Sequence, residues 1–389
     1  MRRQLTEIFA DPVLRIYGVV LGLLELVCVL WLCSVRADRM LSVGNEALCW
    51  PMLPNCGAWR AFSMGALQMI LVVCAILSVA TALAFYYRSS SAWLLLLTTE
   101  VLKLAVIAQD FRLRLNQNYM FGFVWLAFLF IPNKRRNIRY LLVLFYFWAG
   151  ILKVNREWLT GAALYRPEWL LHSPLLRLAC GYVVLLELVV VWGLLAERAW
   201  IFWLAFMQVV LFEAFSFFTV GFFYPTLMLG LSSLFPLGRS ERESLFRLRF
   251  EPASTLIFLS VFCGLQLVPR MFPGDTAITG EGRLVALHMF DAKVECESKA
   301  TLFNAGRAME VFDMRPDGPV RTKCDPAMLL SRGQTLCAGH SNGAWRVDVH
   351  LASRRSSEPA LRPVVDIQDF CRNIPAYRWW RHNDWIRVD

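Results

Sequence analysis

The stretch "IYGVVLGLLELVCVLWLCSV", residues 16–35, sets the frame for the whole chain. It carries a single charge, Glu25, over roughly the ~20 residues that a helix needs to cross a bilayer. Arg2 and Arg3 precede it and no small-residue cleavage site follows, so it is expected to remain as a span with the N-terminus cytoplasmic. Further apolar runs lie at 61–86, 93–108, 119–132, 140–153, 180–196, 200–218, 220–235 and 253–268. Several fall short of a simple span, which predicts tilted helices around an interior site. The expected fold is an α-helical polytopic membrane bundle of about 8–9 transmembrane helices over residues 1–270.

Composition agrees. Of 389 residues, 57% are hydrophobic and only 18% charged, more apolar than a soluble fold of this size carries. The net charge of +10 comes from arginines between apolar runs, where they set topology, so nucleic acid is not an expected partner. Threading from a cytoplasmic N-terminus puts the basic segments "NKRRNIR" (133–139) and "GRSERESLFRLRF" (238–250) inside. It puts 36–60, 109–118 and 154–177 outside. Residues 280–389 change character, with alternating stretches such as "WRVDVHLAS" (345–353) and "RPVVDIQDF" (362–370), and are expected to form an extracytoplasmic, mainly β domain in the periplasm or lumen.

Six cysteines, Cys49, Cys56, Cys296, Cys324, Cys337 and Cys371, fall on the outward side of this threading, which predicts disulfides there, a bridge from first loop to tail among the options. The other five lie within apolar runs. The chain has no CxxC, no paired histidines at metal-ligand spacing, no phosphate-binding glycine loop and no GxSxG, so no metal is expected.

Ionisable residues inside the runs carry the most information, because each costs about 2.5 to 3.5 kcal/mol in hydrocarbon unless it is partnered. They are Glu25, Glu100, Lys103, Glu187 and Glu213, with Lys153 at a run's end. Glu100 and Lys103 share a helix face and are expected to pair. Glu187 and Glu213 are expected to be protonated or bonded to indole and hydroxyl donors. Lys153 has no acid on its own helix. It is either a snorkelling residue, as position alone suggests, or a desolvated amine able to act as a base.

The surrounding sequence bears on that choice. "WAGILKVNREWLTGAAL" (148–164) resembles the core motif of the vitamin K-dependent gamma-glutamyl carboxylase family, HTTM-type membrane proteins, in a short bacterial-like form. That motif is an Ala-Gly pair, a Lys three residues beyond the Gly, an Asp or Asn, a Trp and a Gly, here Ala149, Gly150, Lys153, Asn155, Trp158 and Gly161. Similarity continues through 168–175, 215–235 and the tail, where Asp348, Arg354, Arg355, Pro363, Val365, Asp366 and Ile367 fall in register. The resemblance implies a membrane enzyme that couples oxidation of a reduced quinone (vitamin K or menaquinol type) by O2 to carboxylation of glutamate with CO2. The substrate would be a secreted peptide or protein. It makes Lys153 the quinol base, with Asn116 and Gln117 as catalytic neighbours. Asn155, Trp158, Tyr119, His172 and Glu213 are then the expected quinone-binding set. Gln117 departs from the family, which carries histidine there, and glutamine cannot take up a proton. Members from animals also extend well beyond this tail.

Two alternatives belong to other classes: a non-catalytic membrane scaffold whose tail docks a secreted partner, and a quinol-binding redox component without carboxylation. The terminal "YRWWRHNDWIRVD" (377–389) interleaves Arg and Trp, and could rest on lipid headgroups, on the bundle, or in solvent.

Overall fold

The computed structural model describes residues 2–42, 48–50, 62–164, 173–239, 253–288, 292–304, 306–315, 323–339 and 345–388. Helices run in the order α1 (Arg2–Ala10), α2 (Pro12–Ser34), α3 (Ala37–Met40), α4 (Met64–Tyr86), α5 (Ala92–Ile107), α6 (Asn116–Phe130), α7 (Lys134–Lys153) and α8 (Arg156–Thr160). They continue as α9 (Ser173–Leu188), α10 (Ala199–Val220), α11 (Phe223–Ser232), α12 (Leu234–Leu237), α13 (Ala253–Leu267) and α14 (Thr276–Thr279). The tail adds β1 (Val294–Asn304), β2 (Arg307–Asp313), α15 (Pro326–Gly339), β3 (Trp345–Arg355) and β4 (Arg362–Ile367).

Each apolar run of the sequence is mainly helical over its described residues. Among the described residues five helices are long and apolar enough to cross a membrane: Pro12–Ser34, Met64–Tyr86, Pro174–Leu195, Ala199–Val220 and Ala253–Met271. The remaining runs are short, like α5 and α6 with 16 and 15 residues, or charged at one end, like α7. A helix of 15 residues spans about 22 Å, less than the ~30 Å hydrocarbon layer.

The bundle closes through small residues. Gly18 and Gly22 lie one turn apart on α2 and face α4: a Cβ on Gly22 would fall 2.7 Å from the Ala82 backbone nitrogen, and one on Gly18 would fall 2.6 Å from the Phe85 ring. This close approach is the small-xxx-small contact that holds helices together where lipid removes any hydrophobic drive. Tyr17, Phe121, Phe128, Phe145, Phe202 and Phe262 fill the centre.

Polar groups gather at the two ends. At one, Arg135 pairs with Asp11 at 3.8 Å and donates to the Gly238 carbonyl, Lys134 reaches Gln4 and Glu7, and Arg239 donates to the Ala196 and Glu197 carbonyls. The 133–139 segment is therefore the buried first turns of α7, roofed by α1, where the sequence suggested a connecting loop. Most of 238–250 lies outside the described residues. At the other end Phe111 N donates to Leu48 O, Cys49 N to Ser331 Oγ, and Asn116 clasps residue 288. The segments threaded to the outside thus meet the tail on one face.

The tail is a four-stranded antiparallel sheet of order β2-β1-β3-β4 with α15 packed on it. Alternation works as expected on β3: Val347, Val349 and Leu351 are buried, while Arg346, Asp348 and His350 point away. Two disulfides, Cys296–Cys324 and Cys337–Cys371, close within the tail and exhaust its cysteines. The expected option of a bridge between the first loop and the tail is therefore excluded; β1 and β3 carry Cys296 and the chain near Cys371 to partners already adjacent. Cys49 is also disulfide-bonded, and Cys56 lies outside the described residues.

Candidate functional site

Each residue of the Lys153 motif has a mechanical reason to be there. A Cβ on Gly150 would fall 2.9 Å from Glu187 Cβ and from Leu188, so only glycine lets α9 come this near α7. That approach delivers Glu187 to Lys153, three residues on: Nζ lies 2.5 Å from Oε1 and 2.6 Å from Oε2. Lys153 ends α7, and Asn155 begins α8 as its N-cap, its Oδ1 accepting the Trp158 N–H at 2.8 Å. Trp158 then donates its indole N–H to Cys180 O on α9 at 2.9 Å and presents its ring 5.1 Å from Nζ. Gly161 stops α8 at φ +81°, the left-handed C-cap geometry that glycine adopts freely.

Lys153 is 1% exposed. Snorkelling is ruled out, and so is a lone amine: the charge is matched from a different helix, which sequence spacing could not reveal. Glu213 on α10, 0% exposed, accepts the Tyr146 hydroxyl at 2.7 Å, as expected of a carboxyl beside hydroxyl donors. Tyr146 lies two turns before Lys153 on α7, and Glu213 interacts electrostatically with both Lys153 and Glu187. Lys153, Glu187, Trp158, Glu213 and Tyr146 therefore make one polar seam inside the bundle.

The same turn is bolted to the tail. Glu157, 2% exposed, accepts from Lys293 N (3.2 Å), Ser357 N (3.1 Å) and Ser357 Oγ (2.9 Å), with Arg355 at 3.7 Å. Arg355 in turn binds Asp275 through two nitrogens, at 2.5 and 2.8 Å.

The other expected site residues go elsewhere. Asn116 exchanges two hydrogen bonds with the His288 backbone, at 2.9 and 3.1 Å, imitating a strand partner. The Tyr119 hydroxyl donates to Val285 O at 2.7 Å and accepts from Gln266, whose oxygen takes the Leu287 N–H. Gln117 is half-buried on the first turn of α6. His172 lies outside the described residues. Asn116 and Tyr119 thus hold the linker between bundle and tail.

That linker walls a small, partly open cavity lined by Phe111, Arg114, Arg283, His288, Asp325 and Tyr377. Arg114 donates to the carbonyls of Arg283, Leu284 and Ala286 and contacts the His288 ring. Burial, and then the neighbouring charge of Arg283, pushes the Arg114 guanidinium down to about 9. Desolvation pushes the Asp325 carboxyl up to about 6, against a bond from Ala327 N and the pull of Arg283 and Arg114. The guanidiniums of Arg114 and Arg283 and the carboxyl of Asp325 thus share one partly open cavity.

Sequence reading missed this cavity, because its walls come from four separated segments. It also missed Glu157, whose only sequence signal was its place inside the motif. Among the described residues no group of three or more His, Cys, Asp or Glu is placed to hold a metal. No protein-family model, curated protein or solved structure matches the chain.

Proposed function

We propose that the chain is a multi-pass membrane enzyme of eight or nine spans that couples oxidation of a reduced quinone by O2 to carboxylation of glutamate in a secreted peptide, at the extracytoplasmic face. The observation that carries this reading is Lys153, fully buried at its helix end, paired with Glu187 and faced by an aromatic wall. The Trp158 and Phe212 rings, 5.1 and 6.0 Å from Nζ, suit a flat quinoid ring, and the amine suits a hydroxyl proton. A bound reduced quinone would supply the acidic hydroxyl protons and the electrons for oxygen.

What the chain supplies is proton handling. The Lys153–Glu187 pair is neutral as a unit. In the neutral state one proton is shared across 2.5 Å; on taking up a second the pair becomes ammonium plus carboxylic acid, net +1, and balances the anion left behind. Glu213 and Tyr146 extend the seam inward. The peptide's glutamate would approach the mouth of this cavity, where Arg114 lies and His288 offers the imidazole that position 117 lacks.

The test is oxygen uptake and quinone epoxide formation by the purified chain in nanodiscs given menaquinol or vitamin K hydroquinone. Lys153→Ala is expected to abolish both. The double variant Lys153→Met, Glu187→Leu removes both charges together and is expected to stay folded yet inactive, since replacing a buried pair with apolar groups is close to neutral for stability. Unchanged activity in Lys153→Ala would remove the lysine from the chemistry. The scaffold reading is favoured by one observation, that Glu187 already satisfies the Lys153 charge; failure of the wild-type chain to bind quinone would establish it.

A further inference from the structure

The C-terminal arm is held where the last long helix leaves the bundle. Glu281, 0% exposed, accepts from Asn383 N (2.8 Å), Asn383 Nδ2 (2.7 Å) and His382 Nδ1 (2.8 Å). Its neighbour Gly282 sits against the end of α13: a Cβ there would fall 2.7 Å from Pro269 Cα and 2.9 Å from the Phe272 ring. Val388 lies against Gly274 in the same way, at 2.8 Å. The arm is therefore fixed at 382–383 and at 388 beside residues 269–274, where the membrane-length apolar stretch Ala253–Met271 ends. Ile386 is buried in the tail core, and Tyr377 and Trp385 pack against it. Between Tyr377 and His382 the chain turns outward: Trp380 is 62% exposed and Arg378 and Arg381 are exposed, while Met271 at the helix exit is 79% exposed.

A rigid loop with nothing else to do would not be expected to keep an indole and two guanidiniums in water at that level. Indoles partition to the headgroup layer, where the ring meets acyl chains and the N–H meets water, and arginines near an anionic surface are drawn to its phosphates. We propose that Arg378–Arg381 is a membrane foot, with Trp380 seated in the lipid headgroup layer and Arg378 and Arg381 on lipid phosphates. The foot adjoins Tyr377, which lines the cavity, so contact with the bilayer fixes one cavity wall. Arg378 now pairs with the exposed Asp384 at 3.1 Å, an exposed contact that a lipid phosphate can replace. This inference needs only a bilayer around the helices and stands apart from the proposed chemistry.

The full chain carrying Cys33→Ser, which removes the exposed thiol, would be labelled with a nitroxide at Trp380→Cys or, as control, at Val311→Cys on the exposed edge strand β2. Both would be reconstituted in nanodiscs of phosphatidylcholine with and without phosphatidylglycerol. Position 380 is expected to collide severalfold more with lipid-soluble oxygen than with aqueous nickel chelate, and more so with phosphatidylglycerol; position 311 is expected to show the reverse. Adding Arg378→Glu and Arg381→Glu should erase the phosphatidylglycerol effect. Nickel access at 380 equal to that at 311 would overturn the proposal, as would indifference to the charge reversals.

Discussion

Lys103 and Lys153 are both buried in this bundle, and their settings differ. Lys103 sits within α5, 2.5 Å from Glu100 on its own helix and 3.1 Å from Glu25 on α2, under the Phe121 ring at 4.0 Å. Lys153 sits at the last residue of α7, beside one contacting carboxylate, a capped turn and the tail. Lys103 ties α2 to α5 with every neighbour supplied by the bundle. Lys153 has the same pairing chemistry, but the turn next to it is anchored by Glu157 to a domain outside the bundle. Burial alone does not separate a structural lysine from a working one; what separates them is which other parts of the molecule depend on their surroundings.

Removing the inner ammonium should cost the most. Lys103→Met leaves two carboxylates in apolar surroundings, and breaking such a buried pair costs about 3–5 kcal/mol. The thermal midpoint of the detergent-solubilised chain is expected to fall steeply, or the variant to fail to accumulate; a midpoint like that of wild type would mean that the inner cluster is not structural. Gly150→Val should come next. Its methyls collide with Glu187 and Leu188, overpacking that costs about 1–3 kcal/mol and separates Lys153 from Glu187. Quinol-dependent oxygen uptake should then fall more than the thermal midpoint does. Equal losses in both would make the outer pair another structural tie.

The smallest effect tests a carboxyl that lacks a contacting ammonium. Asp325 has its pKa raised by burial to about 6, so its protonated form is favoured by folding. A raised folded pKa gives stability that is full below the unfolded value near ~3.9 and is lost as pH rises through the folded one. Stability should decline between about pH 4 and pH 6 by an amount that Asp325→Asn removes. Thermal midpoints of both proteins across that range check it, and parallel profiles would show that Asp325 does not titrate there.

Much of the fold was legible because a bilayer leaves few options: long apolar runs read as helices, and each is mainly helical over its described residues. The strands 345–355 and 362–367 were legible from alternation. Around the candidate site, the motif residues Gly150, Lys153, Asn155, Trp158 and Gly161 do sit together, although Asn155 and Trp158 spend their hydrogen bonds on a helix cap and on α9. Asn116 and Tyr119 were read as neighbours of the lysine and instead grip the linker at 285–288, because partners more than a hundred residues away leave no trace in local pattern. The match between Lys153 and Glu187 was hidden because its partner stands on a different helix, 34 residues on, and the basic segment at 133–139 looked like a solvated loop because its cover, α1 and Asp11, comes from the far N-terminus.

The grip on the linker has a consequence for biogenesis. Its holding groups come from widely spaced parts of the chain: Arg114, Asn116 and Tyr119 before and on α6, and Gln266 on α13. Cys49 and Glu157 add contacts to the tail from two further segments. A nascent tail meets no complete landing site until all of these stand in place, so its docking marks the moment when the helices have finished assembling.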